Sequence, residues 1–424
     1  MINGDEYFFR YARCGGLLSV CIGLLFSIVQ AEPLSLEQAL QRAEAANFGL
    51  DALREQQLSA YERIDVASAL PNPKLQYIYF GESVETRTGP QQAIYSISQT
   101  VPWLAKLDTR KALAVSEAEA WSYVHQRGVL TLRRDVAIVY AEAAYQNQAV
   151  QSTESNLRLI DDMRAIVEER VRGGVSLNAL LRLEVELERT RDQLDLTRQN
   201  HYTQRTQLAA LLSIEESALG ELVEMPSATD TLPSHRSLLA GLEVNNSELH
   251  TLKQQAESAT RRTDLSRLER YPDFTFGLNY IQVDEGSSMA SDAGEDPWNV
   301  SVAVSLPIWE GKNRSAIRSA KAERRATEHR YHNRVLQLKA ELSAILSRRA
   351  DNIRRMQRYE QQLIPLAQQA LGNSRSAYES DQLGVLELID SERALLELNL
   401  NYARAVANVA QADASIKALT GRIN

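Results

Sequence analysis

The segment Asp273–Tyr280 (DFTFGLNY) alternates apolar and polar side chains over its whole length. Residues 298–306 repeat this alternation, with valine or leucine at every second position from Val300 to Leu306. A period of two places apolar side chains on one face of a β-strand and polar side chains on the other. Each segment is about ten residues long, which is the length that a tilted strand needs to cross a bilayer. The two segments therefore predict membrane-length strands.

A matching pair of segments precedes these two in the chain, so we predict four strands, at 73–84, 91–101, 273–284 and 298–306. The stretch ISQTVPW before one long polar segment is echoed by VAVSLPIW before another. Apolar columns with a seven-residue spacing, typical of coiled coils, occupy matching places downstream. They consist of Leu180, Leu187, Leu194, His201 and Leu208, and of Leu388, Leu395, Tyr402, Val409 and Ile416.

These echoes indicate a duplication, with a first structural repeat over 32–226 and a second over 227–424. Each repeat is predicted to contain a helix, two strands, a long helix, a turn and a further helix. The long helix from Trp103 to about Val171 would extend roughly 100 Å at 1.5 Å per residue. Its counterpart, from about Asn313 to Ser380, contains Pro365, where we expect a kink or break. Helices of this length suit a rod or a tube.

The N-terminus has the pattern of an export signal. Arg10 and Arg13 precede an apolar run from Leu17 to Val29, and small residues surround a cleavage point after Ala31. We therefore predict a signal peptide at 1–31 and an exported protein. The only two cysteines lie within that segment, so the mature chain is expected to have no thiol or disulfide chemistry.

Four strands cannot close a barrel, and an open sheet edge is not tolerated in lipid. Closure therefore requires several copies of the chain, and three copies would give about twelve strands. The predicted fold class is mainly α with a membrane β-barrel, built from duplicated helix-strand-strand-long helix-helix units in several copies of the chain. The alternative is a soluble four-stranded sheet that caps a helical bundle.

Composition and motifs exclude several functions. The net charge of −8 argues against a nucleic-acid partner, which would require a basic face. The chain has no phosphate-binding glycine loop, nucleophile elbow or zinc-type helix motif, so no enzymatic activity and no cofactor are expected. His329 and His332 could share a helix face, but they stand among arginines, and we predict no metal site.

Four stretches occur in an order and spacing that resemble the TolC-like outer-membrane efflux proteins. They are LSLEQAL at 34–40, ALPNP at 69–73, ISQTVPW at 97–103 and LIPLAQQAL at 363–371. The resemblance implies a homotrimer with a 12-stranded barrel in the outer-membrane lipids of a Gram-negative cell and a long α-helical barrel that extends into the periplasm. It also implies a periplasmic adaptor protein and an inner-membrane RND-type transporter as partners. The stretch after Val101 is similar to the corresponding sequence in the branch of this family that is paired with heavy-metal pumps, although Leu104 and Ala105 replace the usual Pro-Gly.

The two helix-to-helix turns are the candidate docking tips. Glycine allows the tight chain reversal there, and the resemblance implies contact with the adaptor, although any helical hairpin needs such a turn. The tip residues are Arg172, Gly173, Gly174, Val175 and Ser176 in the first turn, and Gln382, Leu383, Gly384 and Val385 in the second.

Glu387 and Asp390 match the two acidic positions of the family's gate motif, so the resemblance implies a ring of about six carboxylates in three chains. The alternative is that they are ordinary acids on a solvated helix face.

The sequence thus predicts an exit duct that conducts heavy-metal cations or toxic small molecules passively. Two alternatives remain open. One is a duct for type I protein secretion, because the partner pump selects the cargo. The other is a periplasmic coiled-coil structural or adaptor protein, which would explain the heptads but not the strands.

Overall fold

A computed structural model describes residues 34–174, 176–221, 225, 232–285, 291–380 and 382–421. The predicted signal peptide and the predicted boundary between the repeats lie outside these residues. The elements follow in order as α1 Leu36–Ala46, α2 Phe48–Ser68, β1 Lys74–Val84, β2 Gln91–Val101, α3 Leu104–Arg172, α4 Leu177–Leu211, a 3₁₀ turn Glu216–Ala218, α5 His235–Asn245, α6 Ser247–Leu268, β3 Phe274–Val283, β4 Trp298–Val304, α7 Glu310–Arg358, a π-helical turn Tyr359–Leu363, α8 Ile364–Glu379 and α9 Val385–Leu419.

The four strands form one antiparallel sheet in the order β1-β2-β3-β4. Between the two central strands, β2 and β3, Val101 pairs with Phe274 and Tyr95 pairs with Tyr280. On the polar face the Ser96 hydroxyl donates to the Asn279 side-chain oxygen over 2.6 Å. The opposite face is apolar and exposed to solvent in the single chain, with Leu75, Tyr77, Tyr79, Ile97, Phe276, Leu278, Val300 and Val302. The predicted fold class is confirmed: a mainly helical chain with one small antiparallel sheet.

Matching contacts in the two halves confirm the duplicated units. Asn47 caps the start of α2 and donates to the Leu211 carbonyl over 3.1 Å. Asn246 caps the start of α6 in the same way and donates to the Leu419 carbonyl over 2.8 Å. Each asparagine therefore ties a short helix pair to the end of the last helix of its own half. In addition, α4 and α9 both contain 35 residues.

The two long helical segments differ at the predicted interruption. α3 is continuous over 69 residues, whereas α7 gives way to the π-helical turn directly before α8. Pro365 lacks an N–H and crowds the carbonyl four residues earlier, so a regular α-turn is unfavourable there. The chain adopts a wider turn, in which the Ile364 N–H bonds to the Tyr359 carbonyl. None of the described helices is both long and apolar enough to cross a membrane.

A buried lysine joins the sheet to the helices. The Lys106 Nζ, on the first turn of α3, donates to the Asp273 carboxylate and to the Tyr271 carbonyl, each over 2.9 Å. The same carboxylate accepts from the Trp103 N–H over 3.1 Å. This joint fixes the direction in which α3 leaves the sheet.

Candidate functional site

The first tip is a compact turn between α3 and α4. Gly173 ends α3, and Gly174 has a φ of +105°, which a residue with a side chain rarely adopts. The Gly174 N–H donates to the Val171 carbonyl over 3.0 Å. Ser176 caps α4 by accepting from the Asn178 N–H over 3.3 Å. Arg172 lies exposed on the last turn of α3, and Val175 lies outside the described residues. The predicted turn is therefore present at this position.

The second tip joins α8 to α9 in a different way. The Gln382 N–H donates to the Ala377 carbonyl over 2.8 Å. Gly384 precedes α9 without a side-chain cap, and Val385 is buried at the start of that helix. Leu383 is half-buried, whereas Gln382 is exposed. This tip is therefore held by the Gln382 hydrogen bond, the half-buried Leu383 and the buried Val385.

The two tips lie side by side because one apolar cluster joins their hairpins. Four helices contribute to it, α3, α4, α8 and α9. Its buried members are Ile160, Val167, Leu183, Leu187, Tyr378, Val385, Leu388 and Ile389. Residues from both halves of the chain thus form one end of the molecule, opposite the sheet.

The two predicted gate carboxylates are exposed and already have local interactions. The Glu387 carboxylate folds back over Gly384: its Oε2 lies 2.6 Å from the point that a Cβ on that glycine would occupy. A negative charge at that position interacts favourably with the positive, N-terminal end of the α9 helix dipole. Asp390 lies one turn further along and 3.6 Å from the Arg393 Nη1. The geometry thus gives Glu387 a helix-stabilising role that is compatible with a role in a ring of carboxylates.

Two contacts between the hairpins were not found from the sequence. The Arg170 guanidinium stacks over the Tyr378 ring, 4.2 Å from its centroid, and donates to the Tyr378 carbonyl over 3.1 Å. Arg393 on α9 donates to the Glu186 carboxylate on α4 over 3.1 Å. That hydrogen bond raises the pKa of Arg393. Each contact links residues about 200 positions apart, and any relative movement of the two hairpins at the tips would have to break or rebuild both.

Tyr378 has a second unusual property. Its side chain is buried, and its hydroxyl has no hydrogen-bond partner within the part of the chain that the structure describes. A buried hydroxyl without a partner costs free energy. The packing at the tips therefore leaves the Tyr378 hydroxyl in an energetically unfavourable environment.

A polar cleft of about 650 Å³ opens beside the π-helical turn, between α3 and α9. Glu360 and Glu392 line it together with Tyr402, Gln148 and Gln151. Burial raises the pKa of Glu392, an effect that Arg375 only partly offsets. Burial also raises the pKa of Tyr402, and Glu360 adds to it. The cleft is therefore lined by polar groups that are only partly hydrated.

The described residues contain no group of three or more histidine, cysteine or carboxylate side chains placed to hold a metal ion. His329 and His332, considered from their spacing, are both exposed on α7. The His332 ring packs edge-on against the Tyr331 ring, with centroids 5.4 Å apart.

Sequence comparisons show similarity to efflux proteins. Residues 238–422 match the family model described as outer membrane efflux protein. The chain is 23% identical over 399 residues to the cobalt-zinc-cadmium resistance protein CzcC of Cupriavidus metallidurans, covering 92% of this chain and 91% of that protein. It is also 25% identical over 317 residues to the cation efflux system protein CusC of Escherichia coli, covering 70% and 67% of the two chains.

Solved structures share the fold over nearly the whole chain. The outer membrane protein VceC from Vibrio cholerae superposes with a TM-score of 0.76 at 18% identity, covering 91% of this chain and 96% of that one. The outer-membrane channel OprN has a TM-score of 0.79 at 16% identity, with 91% and 89% covered. A structure of CusC gives 0.73 at 18% identity, with 91% and 92% covered.

Proposed function

We propose that this chain, which resembles the outer membrane efflux proteins over residues 238–422, is the exit duct of a tripartite system exporting metal cations. The assignment of metal cations as the cargo rests on the similarity to CzcC. That similarity spans 92% of the chain, and the name of CzcC specifies cobalt, zinc and cadmium. The named activity of CusC, cation efflux, supports the same class of cargo.

The sheet supports assembly as a homotrimer. β1 and β4 are the two edge strands of a four-stranded sheet whose apolar face is exposed. Lipid offers no hydrogen bonds to an open edge, so each edge must pair with another copy. Three copies supply about twelve strands, an even number within the usual range for barrels in the outer membrane.

The tips supply the docking surface for a periplasmic adaptor, which connects the duct to an inner-membrane RND-type transporter. The tips lie at the end of the molecule opposite the sheet, and their exposed members are Arg172, Gly173, Gly174, Ser176, Gln382 and Gly384. Glu387 and Asp390 lie just behind the second tip, where three copies would bring about six carboxylates together. Such a ring would attract cations and would be screened by salt.

The cargo is tested in a strain that lacks this gene but retains its pump and adaptor. We expect the strain to accumulate more zinc, cobalt or cadmium than the parent, and the restored gene to return accumulation to the parental level. Unchanged accumulation of every metal, together with loss of a secreted protein, would instead support a type I secretion duct.

The gate is tested with the double variant Glu387→Gln, Asp390→Asn in planar bilayers under a salt gradient. Loss of the carboxylates should shift the single-channel reversal potential toward that of a non-selective pore, most clearly at low salt. The matched control is Glu379→Gln, which neutralises an exposed acid at the end of α8 outside the motif. A reversal potential that moves equally in both proteins, or in neither, would rule out the carboxylate ring.

A further inference from the structure

The four helices nearest the sheet form a curved row. α2 packs on α3, α3 packs on α6, and α6 packs on α7. A cleft of about 530 Å³ is lined by residues from all four helices, including Arg63 on α2 and Thr327 on α7. The first and last helices of a row can reach one cleft only on the side toward which the row bends. The cleft therefore marks the concave side of the row, which faces the lumen in the duct of the proposed function.

Two glutamates line this cleft, and each is paired with an arginine that also lines it. The Arg262 Nη2 on α6 donates to the Glu117 Oε1 on α3 over 2.6 Å. On α7 the Arg330 Nη1 donates to the Glu323 Oε1 over 3.0 Å. Arg63 adds a further guanidinium to the cleft. The negative charge of both carboxylates is therefore balanced within the cleft.

The pairing continues beyond the cleft along the same face of α6. Residues three, four or seven positions apart share a helix face, so Glu248 and Glu269 lie on the face of α6 that lines the cleft. The Glu248 carboxylate accepts from the Arg334 Nε and Nη2 over 2.8 and 2.9 Å. The Glu269 carboxylate lies 3.6 Å from the Lys106 Nζ and 3.7 Å from the Arg110 Nη2. Both carboxylates are therefore paired as well.

The concave side differs in this respect from the other faces of the same helices. Glu341, on the concave face of α7, lies 4.0 Å from the Arg334 Nη2. By contrast, Glu62 on α2 and Asp108 and Glu119 on α3 are exposed on other faces and have no basic partner among the residues that the structure describes. Neutralisation by lysine or arginine is therefore a feature of the concave side and not of every acid on these helices.

The acids of the concave side, here called the lumenal carboxylates, are Glu117, Glu248, Glu269, Glu323 and Glu341. We propose that their lysine and arginine partners prevent them from binding the exported divalent cations, so that the cargo passes this part of the duct without being retained. The proposal rests on the proposed function, and it adds how the lumen treats the cargo.

The chemistry of the cargo gives the reason for such pairing. Divalent metal ions bind carboxylate oxygens, and three copies of the chain would place three of each lumenal carboxylate around one axis. A duct conducts an ion only where the ion binds weakly enough to leave. A guanidinium within hydrogen-bond distance of a carboxylate occupies its oxygens and cancels its charge. Each pair therefore removes a binding site that would otherwise slow the passage of the metal.

The test is the block of single-channel current by Zn²⁺ in planar bilayers, with the full-length protein purified from outer membranes. Arg262→Gln removes the partner of Glu117. We expect the Zn²⁺ concentration that halves the current to fall by at least about tenfold, which corresponds to 1.4 kcal/mol. The double variant Arg262→Gln, Glu117→Gln should restore the parental value, because the carboxylate that binds the metal is then absent.

A neighbouring ion pair supplies the matched control. Arg261 precedes Arg262 on α6, but it pairs with Glu257 over 2.8 Å outside the cleft. Arg261→Gln removes the same charge and should leave the Zn²⁺ block unchanged. Arg330→Gln is a second test variant: it exposes Glu323 without breaking a contact between helices, because both residues lie on α7. It should strengthen the block as Arg262→Gln does.

The possible failures of the two proposals are distinguishable. An unchanged block in both Arg262→Gln and Arg330→Gln would overturn the inference, and so would an equal strengthening of the block in Arg261→Gln. A purely structural role of the pairs would lower the dissociation temperature of the oligomer without changing the block, which would also overturn it. An unmodified protein that forms no conducting channel would instead contradict the proposed function, and the inference would fail with it.

Discussion

Tyr378→Phe should stabilise the tips, in contrast to most substitutions in a packed cluster. The Tyr378 side chain is only 6% exposed, and its hydroxyl has no partner among the described residues. Leaving such a group unsatisfied costs about 1–3 kcal/mol, which phenylalanine removes without changing the packing of the ring. The Arg170 stacking over the ring is retained. Local opening at the tips should therefore become rarer by about 5- to 150-fold, since 1.4 kcal/mol corresponds to a factor of ten.

Hydrogen exchange measured by mass spectrometry on peptides from the ends of α8 and α9 reports this local opening. The control is Tyr140→Phe, because the Tyr140 hydroxyl is also buried but donates to the Leu34 carbonyl over 2.7 Å. That variant should lose about 0.5–1.5 kcal/mol and exchange faster around its own site. Exchange at the tips that is unchanged or faster in Tyr378→Phe would refute the reasoning.

Three further substitutions test the packing that supports the duct. Lys106→Ala should lower the dissociation temperature of the oligomer, because each lost hydrogen bond to a charged group is worth about 1.5–3 kcal/mol. An unchanged dissociation temperature would show that the Lys106 contacts do not stabilise the oligomer. Asp413→Asn should destabilise the protein by about 3–5 kcal/mol, because it breaks a buried ion pair in which Asp413 and Arg349 are each 8% exposed; thermal unfolding by circular dichroism measures this. Glu392→Gln should stabilise at pH 7, because a carboxyl whose pKa is raised on folding loses stability as pH rises through that pKa. The gain should vanish near pH 3.5, below the usual glutamate pKa of about 4.3, where both side chains are neutral; an equal gain at both pH values would contradict the burial of charge.

Much of the fold could be predicted from periodicity. Strand pattern and heptad spacing depend on neighbours along the chain, so Phe274–Val283 and the helices flanking each tip were recognisable. Pro365 predicted an interruption, but not its form. A kink and a π-helical turn can both accommodate a proline, which has no N–H to donate. Which of the two forms here depends on packing against α9.

The contacts between the hairpins could not be predicted. Arg170 with Tyr378, and Glu186 with Arg393, join side chains from different halves of the chain, and no local pattern marks them. Glu387 was selected by its resemblance to a gate motif, yet its position over Gly384 depends on the shape of the second turn. Sequence patterns located the tips, whereas the interactions that hold them together required coordinates.

The central claim, a duct closed by several copies of the chain, is tested most directly by electron cryomicroscopy of the protein purified from outer membranes. We predict three copies around one axis, with twelve strands in a closed barrel and a single lumen that continues through the helices to the tips. β4 should lie beside β1 of the next copy, and α7 beside α2. A monomer whose four-stranded sheet caps its own helices, or an assembly without a continuous lumen, would contradict the account.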